Sequence, residues 1–198
     1  MPKNVFCIVE GHGEETAVPE LLRRVAISVG CFDLTVLQPY RVPRSSMLKS
    51  DGYLEKVIKL GCSRLESHGS DGAILLCLDL DDDEEEIILA SLTDRISPVS
   101  ANFTQIILLP VREYEAWFLA SAEGFRGHSR VKPDAIYAND PELIRDAKGA
   151  FEKHVLLDGE IYRETVDQVR FTALMDLEMA KRSKSFLRSF QHLATFCQ

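Results

Sequence analysis

Ala73-Ile74-Leu75-Leu76-Cys77-Leu78 runs straight into Asp79-Leu80-Asp81-Asp82-Asp83. An apolar run of this length with no polar alternation predicts a strand buried on both faces of a parallel sheet, and its abrupt acidic end predicts a strand terminus at a functional edge. Working towards the N-terminus, Val5-Phe6-Cys7-Ile8-Val9 is a second such run, stopping at Glu10-Gly11-His12-Gly13. Val18, Leu21, Leu22, Val25 and Val29 then recur at helical spacing, with Thr16 as the expected N-cap, Pro19 in the first turn and Gly30 at the end. A weaker strand is expected over Leu34 to Val42, helices over Tyr53 to Leu65 and Glu84 to Ile96, and a fourth strand over Gln105 to Val111. This β-α-β-α-β-α-β order predicts an α/β fold with a mainly parallel sheet and flanking helices, because parallel strands require crossovers.

After residue 111 the pattern changes. Glu113 to Ser121 reads as helix, Gly124 to Pro141 as loop, Pro141 to Phe151 as a short helix, and Asp167 to Lys181 as a longer one. Ser183 then caps a last amphipathic helix carrying Phe186, Leu187, Phe190 and Leu193. The organisation expected is an α/β core over residues 1–111 and a mixed loop and helical extension over 112–198.

The 198 residues carry 31 acids against 23 bases, a formal net charge of −8. Seven of the eight residues from Asp79 to Glu86 are acidic, so without that run 24 acids face 23 bases and the net is −1. The overall sign argues against strong intrinsic affinity for nucleic acid, although the acidity is local. Five scattered cysteines, with no C-x-x-C pair, read as buried apolar side chains in a reducing cytosol. No run is long enough for a membrane span.

In open parallel sheets ligands bind beyond the carboxyl ends of the strands. Glu10 and Asp79, Asp81 and Asp83 are therefore expected to converge if the first and third strands are neighbours, with the three aspartates pointing one way along an extended segment. Like charges that close require protons or a cation, and an oxygen-only set favours Mg2+ or Mn2+. Gly11 and Gly13 would admit a phosphate, while His12 and Glu14 stand beside Glu10 as supporting groups. For Glu113-Tyr114-Glu115-Ala116-Trp117-Phe118 the preferred reading buries Trp117 and Phe118 and turns Glu113 and Glu115 outward; the alternative adds Glu115 to the acids. Arg182 and Lys184 could contact phosphate or simply line a solvated helix face. D-x-D alone also occurs in nucleotide-sugar transferases and in haloacid-dehalogenase phosphatases, but the phosphatase loop follows the first strand and has Thr or Val where Asp83 stands.

Ile8-Val9-Glu10-Gly11, followed by Glu14-Glu15, together with Leu78-Asp79-Leu80-Asp81-Asp82-Asp83, resembles the Toprim domain of topoisomerases, primases, the small ribonuclease that matures ribosomal RNA, and overcoming-lysogenization-defect nucleases. The resemblance covers residues 4–111. It implies that Glu10 is the catalytic acid or base, that Asp79 and Asp81 bind Mg2+ (or Mn2+), with Asp83 where a third acid often falls, and that the substrate is a phosphodiester of DNA or RNA. The remainder, including Tyr162 to Asp176 and Arg182-Ser183-Lys184-Ser185-Phe186, is similar to a bacterial Toprim-like family often found beside an ABC- or SMC-type ATPase in defence and mobile-element clusters. That implies a nuclease effector with an ATPase partner, no membrane partner, and homo-oligomer formation left open; the competing expectation is a non-catalytic Toprim-shaped binding subunit.

Overall fold

The computed structural model describes residues 2–69 and 71–198. The elements are β1 (Lys3–Val9), α1 (Glu14–Ser28), β2 (Leu34–Val36), β3 (Tyr40–Arg41), α2 (Arg44–Leu48), α3 (Tyr53–Glu66), β4 (Gly72–Cys77), α4 (Glu85–Ile96) and β5 (Thr104–Leu108). There follow α5 (Glu115–Ala120), a 3-10 turn (Ala122–Phe125), α6 (Ala147–His154), α7 (Glu164–Leu174), α8 (Leu177–Ala180) and α9 (Lys184–Cys197).

The sheet order is β2-β1-β4-β5, all parallel, and β3 also pairs with β1. This is the expected α/β architecture. The weak strand at 34–42 is broken: β2 pairs with the start of β1 and β3 with its end, and Leu37 to Pro39 lies between. Pro39 supplies no amide to a ladder, which accounts for the interruption.

Alternation along the central strands sorts the core into two halves. Val5, Cys7, Val9, Leu75 and Cys77 face α1, α7 and α9, whereas Phe6, Ile8, Ile74, Leu76 and Leu78 face the side covered by α3 and α4. The segment after β5 packs on the first of these faces and adds Tyr114, Trp117, Phe118, Phe125, Phe151, Phe171 and Phe186 to one continuous cluster. Many of these rings meet edge to face, such as Phe118 with Phe125 and Phe151 with Phe171, the arrangement that aromatic quadrupoles favour.

Three boundaries differ from expectation for local reasons. Helix α1 begins at Glu14, because the Glu14 carboxylate turns back to the preceding amides, while Thr16 Oγ1 donates to the Gly13 carbonyl rather than capping. The helix expected from Pro141 starts only at Ala147, where Asp146 accepts from Gly149 N–H. The expected 167–181 helix is split into α7 and α8 at Met175, with Asp176 capping the second piece. Ser183 caps α9 as expected, accepting from Phe186 N–H. No described helix is long and apolar enough to cross a membrane.

Candidate metal and phosphodiester site

Strands β1 and β4 are neighbours, with Val9 opposite Cys77, so Glu10 and Asp79 leave the sheet side by side. Helix α1 starts below them. Glu14, only 3% exposed, accepts from Glu10 N–H at 2.9 Å and Gly11 N–H at 3.0 Å, which fixes the loop and places a third carboxylate underneath it. A fourth comes from α5: Glu115 is 1% exposed and accepts from the Tyr162 hydroxyl at 2.8 Å and from Gln168 Nε2 at 3.5 Å. The preferred outward reading of Glu115 is thus corrected. Every residue of α5 is buried, so this helix has no solvent face to which an acid could turn.

Burial raises the pKa of all four acids, and repulsion from neighbouring carboxylates adds to it. Asp79, half-buried with Oδ1 shut off from solvent, is pushed well above its ordinary value by burial first and then by Glu14, Glu115, Glu10 and Asp81. Burial lifts Glu14 to about 7 against two amide hydrogen bonds, and lifts Glu115 to about 7 although Lys148 draws it down. Glu10, partly exposed, is raised by burial, with Arg44 opposing. Four acceptor oxygens here have no hydrogen-bond partner: Glu10 Oε2, Asp79 Oδ1, Glu115 Oε2 and Gln168 Oε1. Buried acceptors without donors are costly, and they mark a place where a proton, a water or a cation is needed.

Asp81 and Asp83 behave differently. The chain after β4 is not extended: Asp81 sits at φ +50°, and Asp83 N–H closes a turn on the Leu80 carbonyl. Opposite it, Arg112 is at φ +69°, and Asp81 N–H donates to its carbonyl at 3.1 Å. The expected common direction of Asp79, Asp81 and Asp83 is therefore absent: Asp79 is half-buried with its Oδ1 shut off from solvent, while Asp81 and Asp83 are exposed. Their counter-ion is Arg44, the first residue of α2. Its guanidinium donates to the carbonyls of Asp79 and Leu80 and to Asp83, lies 3.4 Å from Asp81 and reaches to 4.0 Å from Glu10. Arg112 and Arg145 pair with Asp82, and Arg188 with Glu85. Much of the acidic run is thus matched by arginine.

The other expected site residues divide. Gly11 and Gly13 are packed by α7: a Cβ at Gly13 would stand 2.3 Å from Gln168 Oε1 and 2.8 Å from the Glu164 carbonyl. These glycines admit a helix here, which accounts for them without phosphate. His12 is exposed, pairs with Glu15 at 3.1 Å and lines a concavity of about 530 Å³ between α1 and residues 36–39, away from Glu10, Glu14, Asp79 and Glu115. Arg182 is held by Glu123 and the Ala120 carbonyl, and Lys184 is exposed at the start of α9. Sequence reasoning assigned no role to Arg44, Gln168, Tyr162 or Lys148, whose ammonium lies 2.6 Å from Glu164. Tyr162 and Gln168 fall within the Tyr162 to Asp176 stretch that carries the family resemblance.

The donor chemistry suits a hard divalent cation: oxygen ligands only, two of the acids flanking each other across β1 and β4, and orphaned acceptors. Among the described residues no three Asp, Glu, His or Cys side chains stand ready-made as an ion cage. Taking up an ion therefore requires side-chain movement, with Arg44 competing for Glu10, Asp81 and Asp83.

Comparison with solved structures gives a likeness to the C-terminal region of the Xanthomonas campestris pv. campestris OLD protein, at 14% identity and a TM-score of 0.41, covering 98% of this chain and 95% of that one. No curated protein matches the chain. A family profile described as a domain of unknown function, DUF4276, matches residues 9–195. With nearly its whole length inside that match, the chain belongs to the DUF4276 family.

Proposed function

We propose that the protein is a metal-dependent phosphodiesterase of Toprim type, acting on DNA or RNA as the effector partner of an ABC- or SMC-type ATPase. The single observation that carries this reading is the meeting of Glu10, Glu14, Asp79 and Glu115 at one sheet edge with acceptor oxygens left unpartnered. Asp79 and Asp81 are the groups that would hold Mg2+ or Mn2+, with Asp83 and Glu14 adjoining, Glu10 beside them as the acid or base, and Glu115 completing the floor. When bound, the cation supplies Lewis acidity towards a phosphoryl oxygen and makes nearby water more acidic.

The chain's own groups do the rest. Glu10 is partly exposed and burial raises its pKa above the ordinary carboxylate value, which places it to take and return a proton at the edge of the cluster. Tyr162 and Gln168 hold Glu115 in one orientation, and Lys148 offsets part of its charge. Arg44 holds the acid loop and sets a threshold for the cation, because its positive charge must be offset or moved before Asp81 and Asp83 can contribute.

The test is strand cleavage by the purified protein, alone and with its ATPase, in Mg2+ and Mn2+. Divalent-dependent cleavage that falls at least ~100-fold in Glu10→Gln and Asp79→Asn supports the reading; intact DNA and RNA, or variants that cut like wild type, contradict it. Arg44 on the acid loop and the lack of a ready-made cage among the described residues favour a second reading, a binding subunit without catalysis. That reading expects nucleic-acid or ATPase binding with no response to divalent ions.

A further inference from the structure

A concavity of about 400 Å³ runs along α7, lined by Arg130, Arg163 and Arg170 around the buried Asp167. Positions 163, 167 and 170 share one side of the helix, about a quarter-turn from Glu164 and Gln168, which face the Gly11–Gly13 loop. The concavity therefore adjoins the carboxylate site through a single helix.

The arginines are not equivalent. Arg130 is spent internally: it pairs with Glu160 and Asp167, each at 2.5 Å, and donates to the Ile161 carbonyl at 2.9 Å. Asp167 is likewise saturated by Arg130, by Arg163 N–H at 2.9 Å and by Arg170 at 3.4 Å. The Arg163 side chain has no hydrogen bond or ion pair among the described residues, and Arg170 has only the long contact to Asp167. Two guanidiniums thus present free donor edges on a rigid support. Exposed Ile161 and Val166 flank them with apolar surface of the kind that suits sugars and base faces.

We propose that Arg163 and Arg170 form a phosphodiester clamp that seats a nucleic-acid strand beside the carboxylate cluster, with Arg130 and Asp167 as the bracket that holds them. The clamp rests on the phosphodiesterase reading and answers the difficulty that reading raises: an acidic protein with an acidic site needs guanidiniums nearby to bring a polyanion to it.

The test is fluorescence anisotropy with a labelled single strand of DNA, and the same strand as RNA, in EDTA so that no cleavage occurs. At about 50 mM salt the double variant Arg163→Gln/Arg170→Gln binds at least ~10-fold more weakly than wild type, and its salt dependence is shallower by about 1.4, two lost contacts at roughly 0.7 each. Both side chains are exposed, so a melting curve like that of wild type accompanies the loss. No binding by wild type, an unchanged affinity and slope in the variant, or displacement of the strand by inorganic phosphate at strand-like concentrations would overturn the clamp. Arginine-dependent binding without cleavage in any divalent ion would retain the clamp and sink the phosphodiesterase reading.

Discussion

Asp79 and Arg44 show how one edge of the sheet carries two kinds of charge compensation. Asp79 is half-buried and its pKa is raised by burial and by neighbouring acids, whereas the exposed Asp81 and Asp83 are met by a guanidinium from α2. Substituting Arg44 separates these roles. Arg44→Gln is expected to melt at a lower temperature than wild type in low salt, to recover when Mg2+ is added, and to bind Mg2+ several-fold more tightly by calorimetry; weaker Mg2+ binding would mean that Arg44 builds the site rather than competes for it. Glu14 and Glu115 set the pH response. Each holds its proton more tightly folded than unfolded, about 7 against 4.5. The folded state therefore binds the extra protons between those values, and their contribution to stability is present below about 4.5 and lost as pH rises through about 7. Glu115→Gln keeps an acceptor for Tyr162 and removes the titration, so urea denaturation should find it stabilised by on the order of 1–3 kcal/mol at pH 8 relative to its effect at pH 5. An equal effect at both values would show that Glu115 does not titrate there.

Among the elements, the contact between α7 and the β1–α1 loop decides whether the site exists. Gly13 has no room for a methyl group, with the Glu164 backbone carbonyl 2.8 Å from where a Cβ would lie. Gly13→Ala should therefore push α7 away, costing about 1–3 kcal/mol by thermal or chemical denaturation and loosening the hold of Gln168 on Glu115; a variant as stable as wild type would contradict the packing. This contact also marks the limit of what the sequence displays. Strands β1 and β4 and the acids that follow them were legible because uninterrupted apolar runs end in charge, and Ser183 because a hydroxyl stands just before an amphipathic stretch. Glu115 was misread because α5 is buried all round, which leaves no periodicity to separate its faces. Arg44, Lys148 and Gln168 reach the acid edge through contacts distant in the chain, and nothing local distinguishes them from ordinary surface residues.

For the whole molecule, the segment after β5 shares the core face with α1, so sheet and extension are expected to unfold together. Trp117 makes this measurable, being the single tryptophan, fully buried and hydrogen-bonded to Ser185 at 2.9 Å. Its fluorescence and far-ultraviolet circular dichroism should give one coincident denaturation curve, whereas separated transitions would mean that 112–198 melts on its own. The same arrangement brings acids from β1, α1, β4 and α5 to a common edge, and the central claim is that this edge takes up a divalent cation. The direct measurement is a Mn2+ titration followed by loss of the free-ion paramagnetic resonance signal. Wild type is expected to bind, and Asp79→Asn, which keeps the size and shape of the side chain and so the fold, is expected to lose that binding. A wild-type protein that leaves the free Mn2+ signal unchanged at millimolar concentration would contradict the account.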